Sequence, residues 1–283
     1  MKDPCFIKYN DDDERRLTLH AIEIAENSLD GEISTTAFLN LREQKLIETA
    51  LLSDGSFCFA FFGGHVGSER RILVCFPDYA HDIAELVHGK NPSDSEKVLT
   101  ACKDFAGDRL DLYRISGGSK FDRPLTHRDY LGALLALGID RCNIGDIAVD
   151  DGCAYVFALS RLRTFISDNL TAVGRVPVKV EKLTLDDAVD LPSNTIELNC
   201  VVSSMRLDCV LSALTGVSRE VSKSMISSGK CEHNYSVLLK PDDAVLPGDV
   251  ISARGFGKYR ISPQGTPAVT QKGKFRIAYF KYI

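Results

Sequence analysis

The sequence contains no tryptophan and only three methionines. Its apolar runs are short, like the six residues "FCFAFF" at 57–62, against the roughly 20 apolar residues that a membrane-spanning helix needs. The first residues carry the charged cluster "DDDERR" at 11–16. Neither a signal peptide nor a membrane span is expected. Nine cysteines are present, an odd number, and no two lie closer than nine positions. That spacing excludes C-x-x-C zinc or redox motifs and argues against a disulfide framework. Neither a metal nor a cofactor is expected. The predicted setting is a reduced cytoplasm.

The chain also lacks an excess of positive charge: its net charge is −5. That average hides an asymmetry. Residues 203–283 hold seven Lys and five Arg against four Asp and two Glu, a net of +6, which leaves −11 for residues 1–202. A basic end on an acidic body suits a polyanionic partner met by that end of the chain. The acidic part is a candidate surface for a protein partner.

At 283 residues the chain is too long for one small core. Its pattern predicts an α+β protein of three domains. The N-terminal α/β domain covers residues 1–107. Leu17, Ile22, Ile24 and Ala25 suggest a first helix. "TTAFLNLREQKLIETAL" suggests a second, with Thr35 or Thr36 as its N-cap. "FCFAFFGGHVGSERRILVCFP" reads as two strands around a glycine turn. No Lys-Ser/Thr pair follows Gly63, Gly64 and Gly67, so a phosphate loop is rejected. A charged helix near residues 94–105 closes the domain.

Residues 108–190 read β-α-β-β-α-β, a ferredoxin-like order shared with RNA-recognition folds. Thr126 is the predicted cap of the first helix of this domain, Gly138 its stop, and Asp150-Asp151-Gly152 a hairpin turn. His127-Arg128-Asp129 imitates a kinase catalytic loop, but Leu134 stands where the asparagine belongs. Tyr155 and Phe157 alternate along one strand. They either stack on bases or pack in the core.

An acidic linker near residues 186–194 leads to the third domain, residues 195–283. After the strand "TIELNCVV", Leu207, Val210, Leu211 and Leu214 form one apolar helix stripe. Gly216 ends that helix and Ser218 caps a second. On the second helix Val221 and Met225 are predicted to face the first. Arg219 and Lys223, four apart, share another face. Ser222 lies beside that face, Gly229 stops the helix, and Lys230 and Asn234 extend the polar surface. Basic residues with hydroxyls and backbone amides nearby suit phosphate oxygens. In "RGFGKYRI" at 254–261, Gly255 and Gly257 are read as a strand bend, with Arg254, Lys258 and Arg260 adding positive charge.

This spacing resembles the RNA-binding domain named after ribosomal small-subunit protein four, here the S-four domain. The carrying residues are Arg206-Leu207-Asp208, Ser218-Arg219, Lys223, Ile226, Gly229-Lys230, Asn234 and the later "LPGDVI". His233 and Tyr235 depart from the family's usual β-branched residue and turn glycine. Together with "THRDYLGALLALGI…NIGDI" and "RGFGKYRI", the chain resembles the YlmH family of bacterial S-four proteins. The resemblance implies cytoplasmic binding of ribosomal or transfer RNA without catalytic chemistry. Small stand-alone members of the S-four group associate with large ribosomal subunits that hold stalled peptidyl-tRNA. Ribosomal particles, the large subunit first, are therefore the expected partners. The expected RNA contacts are Arg206, Arg219, Ser222, Lys223, Lys230, Asn234, Arg254 and Lys258.

The rival enzyme is a pseudouridine synthase, whose catalytic aspartate sits in an R-L-D-x-x-T-S-G-like motif. Arg206-Leu207-Asp208 matches the start, but Thr215-Gly216 come too late. An acid at a helix start also suits the helix dipole. A protein-interaction adaptor is the other alternative, and it would not need Arg219, Lys223 and Lys230 on one surface.

Overall fold

The structure, a computed structural model, describes residues 7–31, 33–55, 57–65, 67–77, 95–117, 124–150, 152–188, 191, 195–237, 239–262, 268–270 and 273–282. The fold is α+β and divides into two compact units, Met1–Pro192 and Ser193–Ile283. Among the described residues no helix is long and apolar enough to cross a membrane.

The first unit opens with helix α1 (Asp12–Leu29). Asp11 caps it by accepting from the Glu14 amide at 2.9 Å, and acids in the first turn suit the dipole. Its buried stripe, Ala21, Ile22, Ile24 and Ala25, packs with Ile47, Ala50 and Leu51 of α2 (Leu41–Asp54). The cap of α2 is Asn40, in a reciprocal capping box with Glu43, and not Thr35 or Thr36. Residues 35–39 are extended instead: Thr35 and Leu39 bridge to Val74 and Arg71, and Thr36 Oγ1 accepts from the Leu73 amide at 2.9 Å. Strands β1 (Cys58–Phe62) and β2 (Ile72–Phe76) pair antiparallel, and α3 (Ser95–Ala106) follows. The preceding residues 78–94 lie outside the described residues.

The unit continues with β3 (Leu110–Gly117), α4 (His127–Ala136), β4 (Ile144–Asp150), β5 (Cys153–Leu159), α5 (Arg163–Asn169), β6 (Ala172–Val173) and β7 (Val176–Leu183). Their sheet is antiparallel, in the order β4-β5-β3-β7-β6. Without the short β6 this is the ferredoxin-like arrangement. Thr126 and Asp129 form a capping box at α4, and Gly138 follows with φ +82°. The β4–β5 hairpin closes at the Asp150–Cys153 pair, and Asp151 of its turn lies outside the described residues.

One sheet face holds α4 and α5 over Tyr113, Ile115, Val156 and Ala158. The other face packs Leu110, Leu112, Phe157 and Leu159 against Phe38, Phe62, Val74 and Phe76. A continuous core therefore crosses the expected boundary at residue 107. Glycine makes this approach possible: a Cβ on Gly145 would sit 2.6 Å from the Phe38 ring. The Asp146 carboxylate adds a polar tie, accepting from the Glu69 and Arg70 amides at 2.6 and 3.1 Å. Phe157 is fully buried and stacks on His65, so it packs in the core; Tyr155 is half-buried against the same cluster.

The second unit contains β8 (Thr195–Val202), α6 (Leu207–Thr215), α7 (Arg219–Ser227), β9 (Cys231–His233), β10 (Ser236–Val237), β11 (Val250–Ala253), β12 (Gly257–Ile261), β13 (Ala268–Val269) and β14 (Phe275–Tyr282). Its sheet runs β10-β9-β11-β12-β14-β13, with β8 also on β14. The predicted stripe of Leu207, Val210, Leu211 and Leu214 is buried with Met225, Ile226, Ile251, Tyr259 and Ile277. Gly216 ends α6 with φ +76°, and Ser218 caps α7. Two expectations change. Val221 is exposed, because Ser222, Met225 and Ile226 form the buried side of α7. Gly255, at φ +90°, lies in the β11–β12 hairpin turn and Gly257, at φ +118°, opens β12 opposite Ala253, so the pair turns the hairpin and does not bend a strand from within.

Candidate nucleic-acid interface

The site is built at the start of α6. The first amides of a helix have no partner within it. Here two of them are met by a loop from across the unit: the Leu207 amide donates to the Asp243 carbonyl at 2.8 Å, and the Asp208 amide to the Pro241 carbonyl at 2.9 Å. The Val245 amide returns a bond to the Met205 carbonyl, and Arg206 bridges to Ala244.

This docking fixes Asp208, whose side chain is 0% exposed. Arg219 Nε donates to its carboxylate at 2.9 Å and Arg206 Nε at 3.4 Å, while Lys223 Nζ stands 3.9 Å away. The three cations are each about half exposed, at 45–49%. Burial works against the charged carboxylate, but the bonds from Arg219 and Arg206 outweigh it and hold its pKa below the ordinary aspartate value. The same contacts push the Arg219 pKa up. Three cations on one carboxylate leave a local charge of +2, with the cationic groups partly in solvent. That arrangement can accept phosphate oxygens.

The other expected contacts fall elsewhere. Lys230 and Arg254 are both exposed and joined through their backbones, the Arg254 amide donating to the Lys230 carbonyl at 2.9 Å. Lys258 lies on the opposite sheet face from the helices. Its neighbours Tyr259 and Ile261 point into the core, and successive strand residues alternate. Its Nζ lies 4.8 Å from the ring centroids of both Tyr235 and Tyr282.

Ser222 is a correction, being fully buried with its hydroxyl donating to the Ser218 carbonyl at 3.2 Å. Position 222 is on the inward side of a nine-residue helix, next to the basic row in sequence but not in space. Asn234 is a correction too. It sits at φ +50° in the β9–β10 turn, with Tyr235 at φ +63°. Its amide side chain is consumed there, accepting from the Val250 amide at 2.9 Å and donating to Asp249 at 2.8 Å. Asn tolerates this conformation at 234 and its two bonds hold the turn, which carries Tyr235 in the left-handed region where a glycine would be free of strain.

Two features escaped the sequence reading. His233 is 6% exposed and lies between two carboxylates, Asp249 at 2.7 Å from Nε2 and Asp243 at 3.1 Å from Nδ1. In the first unit, buried Asp111 accepts from Arg163 at 2.8 and 2.9 Å and from the Tyr113 hydroxyl at 3.0 Å, and pairs with Lys182 at 2.8 Å. Neither grouping has a local spacing signal, since its members come from distant strands and loops. The Asp208 group did have one: an acid at one helix start and two cations four apart on the next. Among the described residues no group of three or more His, Cys, Asp or Glu is placed to hold a metal ion.

Residues 102–187 match the family model described as "Putative RNA-binding domain in YlmH". A Bacillus subtilis protein named "Ribosome-associated protein quality control protein P2" is 29% identical over 245 residues, 86% of this chain and 85% of that protein. The solved structure titled "Cell division protein ylmH from Streptococcus pneumoniae" matches at a TM-score of 0.45 and 22% identity, over 65% of this chain and 99% of that one.

Proposed function

We propose that this YlmH-like chain grips structured ribosomal or transfer RNA with the second unit, on ribosomal particles and on the large subunit first. The supporting observation is the cluster of Arg206, Arg219 and Lys223, collected on one buried carboxylate and half open to solvent. Lys230 and Arg254, both exposed and joined through their backbones, add a second basic pair to the same unit. The name of the Bacillus subtilis relative, which includes ribosome association, supports the ribosomal placement. Residues 1–202, at a net −11, are repelled by surrounding phosphate and offer a surface for a protein partner. Asp208 has a structural role in this reading, since its carboxylate is buried and held by cations.

Sedimentation with ribosomal particles tests the proposal. The wild-type chain is expected to travel with particles at low salt, and an Arg219→Glu, Lys223→Glu double variant to stay near the top of the gradient. Wild-type protein free of particles at low salt would refute the placement.

A second reading has an observation of its own. The matched RNA-binding family model covers the central sheet, not the S-four-like unit. There Arg163 and Lys182 are held on buried Asp111 and remain 51% and 43% exposed. If the double variant keeps its RNA while an Arg163→Glu, Lys182→Glu variant loses it, the central surface is the primary contact.

A further inference from the structure

His233 lies behind the proposed RNA-binding surface, on the inward side of β9, and joins that strand to the loop that docks on α6. Its two ring nitrogens face carboxylate oxygens of Asp249 and Asp243. Both can be donors only in the protonated ring; a neutral imidazole has one donor and one lone pair. Losing the proton sets a lone pair against a carboxylate.

The two contacts are not equally robust. Asp249 is 15% exposed and also accepts from the Leu246 amide and the Asn234 side chain. Asp243 is 42% exposed, and His233 is the side chain that ties it to β9. Asp243 is therefore the side that gives way. Its own carbonyl holds the Leu207 amide, and the Pro241 carbonyl, two residues earlier, holds the Asp208 amide. The chain of contacts runs His233, Asp243, loop, start of α6, Asp208, and from Asp208 to Arg206, Arg219 and Lys223.

We infer that His233 is a positioning residue for the RNA-binding surface, and that its protonated ring keeps Asp208 and the three cations in place through the Asp243 loop. The inference rests on the proposed RNA-binding role of that surface. Burial opposes a charged ring here, but Asp249 and Asp243 outweigh it, so the His233 pKa lies above the ordinary histidine value. A raised pKa means the ring's contribution is full below the unfolded value of about 6.5 and is lost as pH rises through the folded pKa. The surface should loosen on the alkaline side.

The test uses the full chain and a labelled RNA stem-loop at fixed ionic strength, between about pH 6 and pH 9. Wild-type affinity should fall about three- to tenfold, the net scale of one ordinary hydrogen bond. The midpoint should coincide with the His233 titration followed by NMR. His233→Gln, neutral throughout, should bind at the wild-type alkaline level with a flat profile. Asp243→Asn, which removes only the exposed carboxylate, should move the midpoint to lower pH and carries the test if His233→Gln fails to fold. Binding that is flat with pH in the wild type, or a His233→Gln profile that follows it, would overturn the inference alone. Wild-type protein that binds no RNA at any pH would overturn the RNA-binding reading and this inference with it.

Discussion

Replacing Asp208 with asparagine keeps the side chain's size and removes the charge that holds Arg219 and Arg206. A hydrogen bond to a charged group contributes about 1.5–3 kcal/mol, and the cations remain half in water, so the net cost to the second unit should be about 1–3 kcal/mol. Urea unfolding of the full chain, read on the transition of that unit, checks it. The pH dependence follows from the lowered pKa: the Asp208 contribution is present above the unfolded value of about 3.8 and is lost as pH falls through the folded value. The variant should lack this acid-side loss. Individual residues were unevenly legible in the sequence. Arg219 and Lys223 could be placed on one face because helical spacing decides it. Ser222 and Asn234 were misassigned because burial and turn geometry depend on what packs against them. The carboxylate that gathers the cations was read only as a helix-start acid, since its partners lie up to 15 residues away or on another helix.

At the scale of elements, hydrophobic periodicity carried the reading well. The apolar stripe of α6, its glycine stop and the serine cap of α7 all follow from local rules. The start of α2 was missed because residues 35–39 pair with β2 and Asn40 takes the cap. Nothing local marks a segment that a distant strand will recruit. The packing of β1 and β2 onto the central sheet was equally invisible, though its requirement is a single hydrogen at Gly145. An added methyl there would meet Phe38 at 2.6 Å and the Phe157 Cβ at 2.9 Å. Gly145→Ala should therefore destabilise the first unit by about 1–3 kcal/mol, the usual cost of overpacking. A lowered melting temperature is the expected result, and Gly138→Ala, where the surroundings are open but φ is +82°, separates crowding from backbone strain.

At the scale of the whole chain, charge divides nearly as the units do, with +5 on residues 193–283 and −10 on residues 1–192. Composition alone identified which end should meet a polyanion, but not which face of that end. The fold places Arg206, Arg219 and Lys223 together and puts Lys258 on the other side of the sheet. The most direct measurement is the salt dependence of affinity for a labelled RNA stem-loop, for the wild type and for the Arg219→Glu, Lys223→Glu variant. With roughly three to six phosphates neutralised, the wild-type log–log slope should be about −2 to −5. The variant should bind more weakly with a slope shallower by about 2, one unit for each phosphate that is no longer neutralised. Equal slopes and equal affinities for the two proteins would contradict the account.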